Sequence, residues 1–403
     1  MTLNRRASLI SLAALLAAAP ALAQDRSAQA PRVHDRTLVL DAHVDLPAPY
    51  DWNGAAAPAP TGQDDASIDL LRAGGVDAAI VSVFVPQGPR TPEAYARARA
   101  EADAKLDAIL ALASNNPGRV EIARTPRDVR RIAGAGRTAI VVGLLNVYPF
   151  GEDVGEIARL HARGVRVLGF THAGNNAFAD SSRPQPRDQA GEHGGLSPLG
   201  RAAVAEANRL GILLDVSQLS TPALLQTVAL SRAPVIASHS GVRGRVDSPR
   251  NLTDEELDAI RAKGGVVGVV AFSSYLRATP PEVQAQIREI RARYGAVNGY
   301  EGLTAEQRQA MGRETQALQP RATVSEFVDS IDYAIRRIGV DHVAIASDFN
   351  HGGGVEGWRN AGEARAVTAE LLRRGYSNAD IAKLWSGNVL RVLGQAQALA
   401  AQS

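Results

Sequence analysis

A single-domain, TIM-like (β/α)8 barrel is the fold this sequence predicts. Short apolar runs rich in Val, Ile and Leu alternate with helix-length patterns, and the alternation repeats about eight times along the chain. The runs are continuous rather than alternating, as suits parallel strands buried on both faces. Polar residues able to do chemistry recur where the runs end, which is where a barrel of this kind carries its working residues. The rival, a doubly wound open sheet, lacks the Gly-rich phosphate loop that would support it.

The strand candidates, in order, are Thr37–Asp41, Ala78–Val85, Thr138–Leu145, Val165–Thr171, Ile212–Ser217, Pro234–Ser238, Val266–Ser273 and Val343–Ser347. Helical patterns lie between them at Pro92–Ala113, Pro198–Leu210, Asp254–Lys263 and Val324–Ile338. Thr253-Asp254-Glu255-Glu256 has the form of a capping box, and Thr221-Pro222 places proline in a first helical turn. Gly211, Gly264 and Gly339 close helices ahead of the next strand. Two segments interrupt the alternation: an Ala/Pro-rich loop at Ala55–Gln63, and an insertion over 277–321 with a helical stretch through Pro281–Tyr294. The barrel domain is expected to cover 37–403, after a flexible lead-in over 24–36.

Residues 1–23 read as a cleavable signal peptide. Arg5 and Arg6 form a charged region, Leu9 to Leu22 is apolar, and Ala21-Leu22-Ala23 offers a small-residue cleavage site. The arginine pair also fits the twin-arginine export route, in the loose context of Ala7-Ser8-Leu9. The chain is therefore expected to be exported, to the periplasm or beyond, with no transmembrane span after cleavage. Apolar residues make up 45% and charged residues 21% of the sequence, enough for a large core. A net charge of +2 gives no basic surface to argue for nucleic acid. With no cysteine, the fold rests on its core alone, and a metal would have to use His, Asp or Glu.

The strand ends supply such residues. The first strand runs into Asp41-Ala42-His43-Val44-Asp45, and a His-x-Asp pair puts an imidazole and a carboxylate on one side of an extended chain. The fourth ends in Phe170-Thr171-His172, followed by Asn175 and Asn176. The sixth ends in Ser238-His239-Ser240 and the eighth in Ser347-Asp348-Phe349. Each alone reads more readily as a buried polar side chain satisfied by backbone. Four such ends around one barrel mouth make the donor set that a hydrolytic metal site requires, with a position left for water. His34, His161 and His342 read as structural or solvated, whereas His193 and His351 lie in loops that can reach the mouth.

Taken in order, these motifs resemble the membrane dipeptidase family over nearly the whole mature chain. The resemblance runs through Leu40-Asp41-Ala42-His43-Val44-Asp45-Leu46-Pro47, Gly164-Val165-Arg166 to Thr171-His172 and Asn176, and Phe178-Ala179-Asp180-Ser181. It continues through Ser238-His239-Ser240, Pro249-Arg250-Asn251-Leu252-Thr253-Asp254 and Ala346-Ser347-Asp348-Phe349, and ends with Gly387-Asn388-Val389-Leu390-Arg391-Val392-Leu393. It implies a (β/α)8 barrel with zinc at the mouth, a dipeptide or similar small substrate, and a homodimer. His43, Asp45 and Asp348 match ligands of a first zinc and His239 a ligand of a second. His172 matches a residue that contacts substrate and polarises the scissile carbonyl. Arg250 matches the arginine that holds the substrate carboxylate, and Tyr275 falls where a substrate-site tyrosine is expected. Asp348 would also move the proton from attacking water to leaving amine.

Two positions depart from the family pattern. Leu145, in Gly143-Leu144-Leu145-Asn146, stands where a metal-bridging glutamate is expected. Gln218, after Asp215-Val216-Ser217, stands in place of a histidine. The first site then keeps three ligands and the second only His239, with Gln218 as a weak helper. The sequence therefore predicts one zinc ion, with two as the family alternative, and His239 either completing the site or bonding its water. The expected function is metal-dependent hydrolysis of a dipeptide-like amide. A mononuclear amidohydrolase or peptide-tailoring enzyme, and a degenerate periplasmic peptide-binding protein, stand as alternatives.

Overall fold

The computed structural model describes residues 25–45, 64–189, 191–296 and 303–400. The signal-peptide segment, the Ala55–Gln63 loop and Leu46-Pro47 lie outside the described residues. Eight parallel strands form the barrel: β1 (Leu40–Asp45), β2 (Ala78–Phe84), β3 (Thr138–Leu145), β4 (Val165–Gly169), β5 (Leu213–Asp215), β6 (Ile236–Val242), β7 (Val266–Val270) and β8 (Val343–Ala346). Each pairs with the next in sequence. The circle closes through a parallel bridge between Val44 and Phe349, with the Asp45 N–H donating to Phe349 O at 3.1 Å and the Asp348 N–H to His43 O at 3.1 Å.

Alternation along the strands separates two apolar layers. Ala79, Val81 and Val83 of β2 and Ile140, Val142 and Leu144 of β3 face the surrounding helices. Ala78, Ile80, Ala139, Val141, Val167, Leu213, Ile236, Val266 and Ala344 form the barrel interior. Val389, Leu390, Val392, Leu393 and Ala396 of the C-terminal helix Asn388–Ala400 join that interior cluster, so this helix plugs the barrel. The interior has little room. A Cβ on Gly268 of β7 would sit 2.2 Å from the Ser238 carbonyl oxygen on β6. Gly268→Ala is expected to cost about 3 kcal/mol or more, because backbone on both strands would have to shift, and the denaturant midpoint reads it.

The expected strands all form, with shifted ends. The largest shift is at β1, expected over 37–41 but spanning Leu40–Asp45, with an irregularity in its pairing to β2 between Asp41 and Val44. His43 and Asp45 therefore lie within the strand, held by ladder bonds. Two short strands go unforeseen: Val120–Ala123 beside β3, and Asn251–Leu252 beside β6. The capping box at Thr253 and Glu256 is present, as are the left-handed Gly211 and Gly264 and the positive φ of Gly339. Among its described residues the insertion over 277–321 holds two helices, Pro281–Arg293 and Ala305–Leu318. Arg293 and Tyr294 join them through Glu314, and Arg277 anchors the segment to Glu326 at 2.7 Å.

Residues 25–36, expected as a flexible lead-in, include a short helix with a packed face. Ala30–His34 is helical, and Ala30, Val33 and His34 are buried. His34 Nδ1 lies 2.7 Å from Thr368 Oγ1, and its ring stands edge-on to Trp385. Burial, helped by Arg365, pushes the His34 imidazole down to about 4. An unfolded histidine takes up its proton near 6.5, whereas the folded one resists until about 4. Stability is therefore lost as pH falls through this window, by about 2 kcal/mol between pH 7 and pH 5. Melting curves at the two pH values are expected to show a smaller drop for His34→Gln than for the parent.

Candidate functional site

The C-terminal ends of the strands turn polar together. His43 and Asp45 project from β1 and Asp348 follows β8; all three are buried. His43 Nε2 lies 3.6 Å from Asp45 Oδ1 and 3.9 Å from Asp348 Oδ1, so three potential ligand atoms meet within 4.8 Å of one another. His43 Nε2 and Asp45 Oδ1 are buried without a hydrogen bond. Unpaired buried polar atoms are costly, and a cation at their centre would satisfy both. The electrostatics agree. Burial works to lower the His43 pKa, but Asp45 and Asp348 outweigh it and raise it. Burial raises the Asp348 carboxyl. The residues present thus fit one divalent ion held by an imidazole and two carboxylates.

Asp348 has φ +58°, a left-handed backbone that a non-glycine residue seldom adopts. The loop behind it doubles back tightly. A Cβ on Gly353 would fall 2.0 Å from Ser347 O, so only glycine fits there. This turn brings His351 over the mouth, with Nδ1 2.5 Å from Asp45 Oδ2. His351 thus joins the site, whereas His193 bonds the Asn176 carbonyl at 2.8 Å and stays outside it. Burial opposes protonation of His351, but Asp45 and Asp348 raise its pKa. His351 and His43 in turn hold Asp45 far below the usual carboxylate range despite its burial.

A second group gathers around Ser238 on β6. Its Oγ lies 2.5 Å from Asp215 Oδ2, 2.7 Å from His239 Nδ1 and 3.2 Å from His43 Nδ1. Asp215 also accepts from the Ser217 and Ser238 amides. His43, Asp215 and His239 could be taken as three metal ligands by proximity, but the serine hydroxyl already fills the space between them. Asp215 as a carboxylate only accepts, so Ser238 gives it its proton and accepts from both imidazoles. That assigns Nδ1–H to His43 and His239 and leaves each Nε2 as a lone pair, the tautomer a metal-binding histidine needs.

The two Nε2 atoms meet different fates. That of His43 faces the carboxylates. That of His239, expected as a ligand, meets the Gln218 Nε2 amide at 3.0 Å. The His239 ring stacks on His43 at 3.7 Å, yet it stands outside the cluster of His43, Asp45 and Asp348. Gln218 is therefore a cap on His239 rather than a helper ligand. Leu145, inward by alternation with Ala139 and Val141, is 2% exposed and presents hydrocarbon to the mouth. The residues present do not fit a second metal.

The remaining expected residues line the same mouth. His172 is half-buried, its ring 4.3 Å from Phe84 and 5.2 Å from His351. Burial, with help from Arg183, pushes its pKa well below the usual histidine value, so it is neutral. Arg250 is 3% exposed; it donates to the His239 carbonyl at 2.9 Å, stands 5.3 Å over the Tyr275 ring and leaves Nε unpaired. Tyr275 stacks on Phe272. Asn175 and Asn176 hold backbone instead of ligand: Asn175 accepts from Ser181 N, and Asn176 from the Phe178 and Ala179 amides.

The sequence model of the membrane dipeptidase family (peptidase family M19) matches residues 27–403. The crystal structure of the probable dipeptidase PvdM from Pseudomonas aeruginosa is 39% identical, with a TM-score of 0.82, and the alignment covers 93% of this chain and 99% of that one. Dipeptidase tcpJ of Claviceps purpurea is 30% identical over 70% of this chain, and the chain spans 57% of that relative's length. Dipeptidase verJ of Clonostachys rogersoniana is 29% identical over 81% of this chain and 74% of its own. With a family model spanning almost all of the described barrel and its mouth, this chain belongs to the membrane dipeptidase family, peptidase family M19.

Proposed function

We propose that this chain hydrolyses the amide bond of a dipeptide, or of a similar small amide bearing a carboxylate, with one zinc ion at the barrel mouth. The observation that carries this is the buried meeting of His43 Nε2, Asp45 and Asp348, with His43 Nε2 and Asp45 Oδ1 unpaired, in a mouth that also holds the buried Arg250 with its Nε unpaired. The relatives named as dipeptidases support the reaction class. An imidazole with two carboxylates suits zinc, which when bound lowers the pKa of a water molecule and polarises a carbonyl. Asp348 takes the proton of the attacking water and returns it to the leaving amine, a role favoured by burial that raises its carboxyl. His172, neutral and half-buried, donates a hydrogen bond to the scissile carbonyl oxygen. Arg250 grips the substrate carboxylate with its planar fork, and Tyr275 fixes the guanidinium from below.

The count of one ion follows from Leu145 and from Gln218, which occupies His239. Export to the periplasm is proposed from residues 1–23, with Arg5 and Arg6 as the twin-arginine element; no helix among the described residues is long and apolar enough to cross a membrane. A homodimer is proposed on family resemblance alone.

A mixed dipeptide library tests the reaction. Turnover is expected with added zinc and none after chelation. No turnover, with peptides raising the melting temperature only when zinc is present, would replace the hydrolase by a peptide-binding protein.

A further inference from the structure

Gln218 has two side-chain partners, and the second fixes what it offers the first. Arg183 Nη2 donates to Gln218 Oε1 at 2.8 Å. A guanidinium can only donate, so the amide oxygen must face Arg183 and the amide NH2 must face His239. The next links are the ones already placed: Gln218 Nε2 to His239 Nε2, His239 Nδ1 to Ser238 Oγ, and Ser238 Oγ to Asp215 Oδ2. Every donor in this series points the same way, from a cation at one end to a buried carboxylate at the other. Hydrogen bonds so aligned polarise one another.

The backbone is built to hold this arrangement. Gln218 has φ +68°, and its carbonyl accepts from Thr171 Oγ1 at 2.9 Å and Ser182 N at 2.8 Å. A bridge joins Ser181 to Leu219. The segment Ser181–Arg183 therefore clasps Gln218 by main chain and side chain together.

We infer that Arg183 is a positioning residue. Through Gln218 it locks His239 as a neutral Nδ1–H tautomer and keeps its Nε2 closed to metal, so that a directed hydrogen-bond chain stands where a second ion would need a ligand. The chain also sets the partner of His43: with Ser238 committed to Asp215, His43 must donate from Nδ1 and present Nε2 to the ion. This rests on the one-metal function proposed above.

The test uses the protein as isolated, labelled with 15N-histidine, with the metal content of each sample counted. His239→Asn identifies the His239 signals by their loss. In the parent, His239 is expected to show a protonated Nδ1 and an unprotonated, hydrogen-bonded Nε2. Arg183→Met frees the amide to rotate and present its oxygen, so the two ring nitrogens should shift toward each other as the tautomers mix. Arg183→Lys, which retains a donor, should restore the parent pattern. Gln218→Glu removes the amide donor, so Nε2 should become protonated, and it carries the same test if Arg183→Met does not fold. An unchanged His239 pattern in a folded Arg183→Met or Gln218→Glu protein would overturn the inference. Two metals per chain in the parent would instead overturn the one-metal function, so the two failures are told apart in one set of samples.

Discussion

Asp348→Asn is expected to lower turnover by about 10³-fold or more while leaving the fold intact. The substitution keeps size and shape and removes both the charge and the proton acceptor. Loss of a general base alone typically costs about 10²–10⁴-fold, and the same residue is also one of the three proposed ligands. The backbone should tolerate the change. Asp348 has φ +58°, and asparagine is among the few residues that adopt the left-handed region readily. The melting temperature of the metal-free variant should therefore stay close to that of the metal-free parent. Metal-induced stabilisation should shrink, because it depends on how tightly the ion binds the folded state. A variant that keeps parental turnover would remove Asp348 from the chemistry.

Arg250→Ala is expected to reduce kcat/KM by about 10²–10³-fold toward a dipeptide, the scale of a buried charge-assisted pair. The same variant should lose little further toward a dipeptide amide, which lacks the terminal carboxylate. The comparison forms a cycle between side chain and substrate group. It separates carboxylate binding from any structural contribution of the Arg250 bond to the His239 carbonyl at 2.9 Å, because a structural loss would affect both substrates equally. Equal losses on the two substrates would assign Arg250 to the scaffold.

Much of this site is legible in the sequence because barrel physics gathers it. His43, Asp45, His172, His239 and Asp348 each stand at or near the end of an apolar run, and parallel strands bring those ends to one mouth. The departures are legible through the family resemblance, which implies metal ligands where Leu145 and Gln218 stand. What the sequence conceals depends on long-range closure. His351 lies in a glycine-rich loop, and only the tight turn at Gly353 folds it onto Asp45. Ser238 and Asp215 belong to readable motifs, but their pairing is made across neighbouring strands. Arg183 lies in a long excursion after β4, with no periodicity to aim it at Gln218. The early end expected for β1 reflects its mixed polarity: Asp41, His43 and Asp45 interrupt the apolar run, yet all six residues of the strand are buried. The packed segment Ala30–His34 is too short to announce itself as a helix; burial of Val33 and His34 against the domain holds it.

The metal content of the purified protein, measured by elemental analysis after zinc loading and removal of loose ions, tests the central claim most directly. One tightly held zinc per chain is expected, with His43→Ala losing it and Leu145→Glu/Gln218→His rising toward two. Two tightly held ions in the unaltered chain, or one that survives His43→Ala, would contradict it.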